Sequence, residues 1–407
     1  MKRTVGSLMA ALGLAIVLGV SPLAGAADEP KPAAPAKAEA TVKAEVTGTV
    51  EAAPADAKAL AEKRKAATDR AVAFILAKQN PNGSWGDEKT GVGVNGLCAQ
   101  ALLFAGKTVK DEPVKKAVDL LVKAQKDDGG IYDDGGLANY CTCIAVQVLV
   151  KADKEAYAPA IKKALAYLTK HQWDDTESVD KQEKADKNDP RFGGAGYGKS
   201  ARPDLSNTQY FADALQAAGV PKDDPAWARM LVFVSRCQAR SESNDSAVTK
   251  VVTTDDGGFV YSVAGGGESK ANTVDLPDGR KGLRSYGSMT YAGFKSMLYA
   301  SVSKDDPRVK AALEWIQKHW GFDENPEMGQ SGLYYYYQTS AKALKAFGQD
   351  KVLDARKRPH DWRAEITEAL LKRQKDDGSW TNPADRWFEG FPLVPTAYAV
   401  LAMSDCE

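Results

Sequence analysis

An excess of charge of either sign is missing. The chain has 407 residues, with 54 Lys and Arg against 54 Asp and Glu, so its formal net charge is zero. A balanced chain offers no basic field for nucleic acid and no acidic tail. Cysteine is sparse. Five are present (Cys98, Cys141, Cys143, Cys237 and Cys406), an odd number that excludes a disulfide scaffold. Histidine occurs three times, as His171, His319 and His360. With no nucleotide-binding loop and no convincing metal-ligand set, no cofactor and no metal site are expected. The apolar run Leu8 to Val20 is shorter than the roughly 20 residues that span a bilayer. A transmembrane segment is therefore not expected.

The N-terminus reads as a processing signal. Lys2 and Arg3 precede that apolar run, and Ala24-Gly25-Ala26 is a small-x-small cleavage site. Residues 1–26 are expected to be a signal peptide, which sends the mature chain to the periplasm or the exterior. Residues 27–62 are rich in Ala, Pro, Lys and Glu and read as a disordered or part-helical tether. With 43% hydrophobic residues in the chain, the remainder can build a large core.

From there to residue 404 one phrase recurs. It stands as Gln79-Asn-Pro-Asn-Gly-Ser-Trp85 and as Gln374-Lys-Asp-Asp-Gly-Ser-Trp380, with weaker copies at Gln125 to Ile131 and Asp255 to Phe259. Each copy ends an amphipathic helical stretch, turns at a glycine, and leads into a second stretch that is apolar on most faces. The pairs are Ala71–Gln79 with Val94–Ala105, Val114–Gln125 with Leu137–Val150, Ala160–His171 with Leu205–Ala218, Trp227–Gln238 with Tyr286–Val302, Val309–His319 with Leu333–Phe347, and Arg363–Gln374 with Val394–Met403. A helix that is apolar all round must be buried, so the second member of each pair lies inside. Six such hairpins close a double ring, and the fold class is all-α, an α6/α6-type toroid. The links from outer to inner helix are long, Ala239 to Ser285 above all, and emerge at one end. Insertions on one face of a repeat array mark its working face.

The spacing Gln-x-x-x-Gly-x-Trp resembles the QW repeats of the squalene-hopene cyclase and protein prenyltransferase superfamily. Leu205-Ser-Asn-Thr-Gln209 and Gly287-Ser-Met-Thr290 resemble its exported bacterial repeat proteins in particular. The likeness covers about residues 63–404 and implies an α/α toroid around a cavity for an isoprenoid-type lipid. The family's Asp-x-Asp-Asp acid motif is absent, and so is the Cys-Gly-Glu-Gln of thioester toroids. Against the prenyltransferase zinc set the nearest phrase is Asn139-Tyr-Cys141, with Asn in place of Asp. The three histidines fall near outer-helix ends.

The candidate site residues follow from position. Asp133 and Asp134 come after a turn, on the approach to an inner helix. A buried carboxyl there would donate a proton. The Asp pairs before the turn glycines suit turn chemistry instead. Superposing the inner helices by their ends sets Asn95, Cys141, Thr208, Thr290 and Tyr337 at equivalent positions. Asn139, Asn207, Gln209, Tyr286, Ser288 and Tyr291 lie near them, as does the run Tyr334 to Tyr337, which points to successive faces and cannot all be core. These residues are expected to line a ligand site or to bond between helices, with Tyr291 among the catalytic candidates. Three functions remain open. One is isoprenoid binding or cyclisation, in which aromatic faces stabilise a cation. The second is a non-catalytic module that presents its long-loop face to a protein or glycan. The third is a polysaccharide lyase or hydrolase built on Arg284, Tyr286 and Asn207. Cys98 and Cys143 sit at similar height on adjacent inner helices, where a disulfide competes with two free thiols.

Overall fold

In the computed structural model, the residues described are 54–87, 90–176, 183–198 and 201–407. The signal peptide, and the tether before residue 54, lie outside them. Thirteen helices are described. Six are outer: α1 Pro54–Ala77, α3 Glu112–Lys123, α5 Ala158–Lys170, α7 Pro225–Arg236, α10 Pro307–Lys318 and α12 Trp362–Leu371. Six are inner: α2 Gly91–Phe104, α4 Ala138–Asp153, α6 Leu205–Ala218, α9 Gly287–Tyr299, α11 Leu333–Phe347 and α13 Leu393–Asp405. The short α8, Ser246–Thr249, and the hairpin β1 Thr273–Asp275 with β2 Lys281–Leu283 sit in the longest link. A second hairpin, β3 Lys351–Leu353 with β4 Pro359–Asp361, joins α11 to α12.

The inner helices pack in the order α2, α4, α6, α9, α11, α13 and back to α2, and α12 meets α1 on the outside. The expected all-α toroid of six hairpins is the observed fold. Helix α1 begins at Pro54, inside the stretch read as tether, and runs well ahead of the Ala71 start expected for the first outer helix.

The repeated glutamine holds the ring together, one outer helix to the next. Gln79 donates through Nε2 to Gly83 O in its own turn and to Pro113 O at the start of α3. Gln125 does the same to Gly129 and Ala160, Gln172 to Gly193 and Ala226, and Gln238 to Gly257 and Arg308. Gln374 completes the circle with Gly378 and Ala67 of α1. The turn glycines are needed for approach as well as for conformation. Gly378 has φ +84, and a Cβ there would stand 2.6 Å from Arg70 O. The fifth outer helix ends in His319 instead, whose ring stacks on Trp315. Trp85 and Trp380 are fully buried, and their indole N–H groups donate back to Ile75 O and Leu370 O of the preceding outer helices.

Inner helices are capped by side chains from neighbouring loops. Asp133 Oδ2 accepts from Val92 N of α2, Asn325 Oδ1 from Ser288 N of α9, and Glu389 Oε1 from Tyr335 N of α11. These bonds satisfy first-turn donors that would otherwise be stranded in the packed ring. Helix α6 is capped by its own Asp204.

Candidate functional site

One register relates the inner helices. The backbone N–H of the residue after each turn donates to a polar side chain on the following inner helix: Trp85 to Asn95, Ile131 to Thr142, Ala195 to Thr208, Phe259 to Thr290 and Trp380 to Thr396. Asn95, Thr208 and Thr290 therefore share one register, and their side chains are engaged by the turns. In α4 the position belongs to Thr142. Cys141, one residue away, is turned by about 100° on the helix and packs toward Gly93 of α2.

The other expected residues divide sharply. Asp133 is a cap, accepting from Val92 N at 2.6 Å and Gly135 N at 2.8 Å, while Asp134 is exposed. Neither is the buried acid expected. Tyr334, Tyr336 and Tyr337 are core residues after all. Tyr336 and Tyr337 donate to Gly321 O and Phe322 O, and Tyr334 to Thr381 O. Tyr291 is buried edge-on to Tyr336 between α9 and α11, and Ser288 is bound to Asn325. Arg284 is ion-paired to Glu327 at 2.7 Å, and Asn207 is held by Asn139 and Asp204. The Arg284, Tyr286 and Asn207 set thus has two of its members already engaged. All five cysteines are buried free thiols, Cys98 and Cys143 included.

The residue five places after each turn-binding position is turned by about 140° and faces the ring centre. Those residues are Gln100, Gln147, Asp213, Lys295 and Leu401, and in α11, which has no turn-binding side chain, the matching place five after Tyr337 is Lys342. The polar ones meet across the ring. Lys295 Nζ lies 2.7 Å from Asp213 Oδ1, and Lys342 Nζ of α11 lies 3.1 Å from Asp213 Oδ2 of α6, which is not its neighbour. Lys342 also donates to Gln147 Oε1 at 2.8 Å, which accepts from Gln100 as well. Lys295 donates to Gln209 Oε1. Gln209 is thus the expected residue that does reach the centre.

Above this floor, one turn nearer the long-loop end, tyrosines form the mouth. Tyr335 OH accepts from Gln209 Nε2 at 2.9 Å and meets Ser206 Oγ at 2.8 Å, which also meets Tyr140 OH at 2.5 Å. Tyr210 and Tyr398 face each other across the ring, hydroxyls 3.4 Å apart. Tyr197 and Tyr261 join hydroxyls at 3.0 Å on the loops. Tyr140, Tyr197, Tyr335 and Tyr398 remain partly exposed, whereas Gln209, Asp213 and Lys295 are closed off beneath them. Only Tyr335 of its four-residue tyrosine run lines this mouth.

Burial governs the site's electrostatics. Asp204, 1% exposed, accepts from Asn207 N and Asn207 Nδ2, both at 2.8 Å, beside Tyr197, Tyr261 and Tyr286. Desolvation pushes its carboxyl up to about 6, against the pull of those donors. Asp204 is a buried acid near the mouth. Its signal in the sequence is an Asp immediately before Leu205, the start of an inner helix. Desolvation also brings the Lys295 ammonium down to about 8, opposed by Asp213 and assisted by Lys342. It pushes the Tyr286 phenol well above its ordinary value. Among the described residues no group of three or more His, Cys, Asp and Glu is arranged to hold a metal ion, and no helix is long and apolar enough to cross a membrane.

Residues 88–248 match the family model of the squalene-hopene cyclase C-terminal domain. No curated protein matches the chain in sequence. Among solved structures it is similar to a variant of the type II terpene cyclase MstE from Scytonema in complex with its product merosterolic acid A. Identity is 14%, coverage 86% of this chain and 98% of that one, and the TM-score 0.54. Another variant of that enzyme, in complex with its substrate geranylgeranyl dihydroxybenzoate, gives 14% identity, 86% and 99% coverage and a TM-score of 0.53. A family 76 glycoside hydrolase from a bovine Bacteroides thetaiotaomicron strain shares 10% identity over 84% of this chain and 77% of its own, with a TM-score of 0.51. The toroid is the fold shared with these solved structures, and residues 88–248 are similar in sequence to the squalene-hopene cyclase C-terminal domain.

Proposed function

We propose that this terpene-cyclase-like toroid binds an isoprenoid-type apolar molecule at its tyrosine mouth. The observation that carries the reading is the set Tyr140, Tyr197, Tyr335 and Tyr398, partly exposed around the long-loop end of the ring. Aromatic faces suit the flat, polarisable alkenes of an isoprenoid chain, and their hydroxyls suit a polar end. Where a long polyene would run down the ring axis, Lys295, Asp213 and Lys342 fill the space. Binding is therefore favoured over a deep cyclisation channel. Asp204 is the carboxyl that would serve as acid were a reaction to occur at this mouth. Native mass spectrometry of the protein with geranylgeraniol tests the reading. A one-to-one complex is expected, weakened at least tenfold in Tyr335→Ala. No complex with the unaltered chain overturns it.

The filled centre favours a second reading, a binding module whose long-loop face takes a glycan or protein. Retention on a glycan array by a chain that ignores geranylgeraniol would select it. Either role is proposed to lie outside the cytoplasm, with residues 1–26 removed. N-terminal sequencing of the protein from its own cells should then begin near Ala27, and an intact Met1 would contradict export by that route.

A further inference from the structure

The ring centre holds an amine with no solvent contact. Lys295 is 0% exposed, and its Nζ touches Asp213 Oδ1 at 2.7 Å and the carbonyl oxygen of Gln209. A second cation, Lys342, shares the same carboxylate at 3.1 Å. Asp405 and the ring of Tyr299 complete its surroundings. Buried ion pairs contribute little net stability over an apolar core of equal volume, so this one is not explained by folding alone. A desolvated lysine beside another cation is a chemical arrangement that keeps an amine available as a nucleophile, and burial brings the Lys295 ammonium down to about 8.

The mouth and the amine are one side chain apart along the hydrogen bonds. Gln209 is the only residue between Lys295 and Tyr335 along the hydrogen-bonded line, with its oxygen on the lysine and its Nε2 on the tyrosine hydroxyl. Tyr335 is itself partly exposed. A carbonyl oxygen entering past Tyr335 can take over the place of the Gln209 carbonyl, because both are neutral acceptors of the same geometry.

We propose that Lys295 is a covalent capture site for an isoprenoid-type aldehyde, which it holds as a protonated imine paired with Asp213. The inference rests on the reading that the mouth admits isoprenoid-type molecules. The step balances within the ion pair. Asp213 takes a proton from the Lys295 ammonium, and the free amine adds to the aldehyde carbon to give a carbinolamine. The carbinolamine hydroxyl leaves as water with the proton returned by Asp213, and the C=N bond forms. The ammonium–carboxylate pair becomes an iminium–carboxylate pair with no change of net charge, so the buried site needs no new counter-ion.

The test uses the whole mature chain with geranylgeranial, then borohydride reduction and peptide mapping. Stoichiometric labelling of Lys295, ahead of the many exposed lysines and absent from Lys295→Met, is the expected result. The conjugated iminium should also red-shift the aldehyde's absorption before reduction, and Asp213→Asn should abolish that shift. Mapping the unaltered chain keeps the idea falsifiable even where a variant fails to fold. Label scattered over surface lysines, with geranylgeraniol still bound at the mouth, overturns the imine and leaves the binding reading intact. Neither label at Lys295 nor binding of the alcohol overturns both.

Discussion

The side-chain amide of Gln374 donates to the carbonyl of Ala67 at 2.8 Å, joining residues 307 positions apart. With its second bond to Gly378 O, it fastens the last outer helix to the first. Gln374→Ala strands two carbonyls in a part-buried seam and should cost about 1–3 kcal/mol in urea unfolding. Gln374→Glu should cost more, because it aims acceptors at acceptors. An unchanged unfolding midpoint in both variants would show that the ring closes without this contact.

Asp133 and Asp134 separate structure from chemistry at adjacent positions. Asp133 caps α2 from the neighbouring repeat, so Asp133→Ala should lose about 0.5–2 kcal/mol of stability. Asp134 is exposed, and Asp134→Ala should stay within about 0.5 kcal/mol of the unaltered chain. Neither substitution should change the affinity for geranylgeraniol. Thermal denaturation beside a binding titration checks both. A loss of affinity in Asp134→Ala at full stability would restore it as a site residue.

The architecture was legible because each repeat announces its own turn and its own apolar helix. Leu205–Ala218 and Leu333–Phe347 match the observed α6 and α11 end for end. The centre was not legible from single helices. A lysine on a single helix belongs with solvent, and only ring closure makes Lys295 and Lys342 face other inner helices. A reading by helix ends also fixed register to within one residue, which on a helix is a third of a turn. That was enough to choose Cys141 over Thr142. Advancing five residues from Asn95, Thr142, Thr208, Thr290 and the aligned Tyr337 would have found Gln100, Gln147, Asp213, Lys295 and Lys342 together.

Asp204 should leave a mark on the pH dependence of stability. Its folded value of about 6 lies above its ordinary 3.8, so the folded state holds the proton more tightly than the unfolded state does. The stabilising contribution is complete below pH 3.8 and is lost as pH rises through 6, a swing of roughly 3 kcal/mol at most. Asp204→Asn cannot titrate. The stability of the unaltered chain relative to that variant should therefore fall between pH 4 and pH 7. A difference that stays flat over this range would mean that the cap's hydrogen bonds cancel the burial cost.

Lys295 should give the opposite slope at the alkaline end. Its folded value of about 8 lies below its ordinary 10.5, so between those limits the unfolded chain binds more protons. Stability then rises with pH over that window, because folding no longer has to bury a charge. The gain is on the order of 3 kcal/mol across the window. The comparison with Lys295→Met removes this titration, and Lys342 stays to pair Asp213 in that variant. Urea unfolding of both chains between pH 7.5 and 10.5 should show the unaltered protein gaining on the variant. Were the two curves parallel, the Lys295 ammonium would be as well solvated by Asp213 and Gln209 as by water. The amine would then carry no head start as a nucleophile.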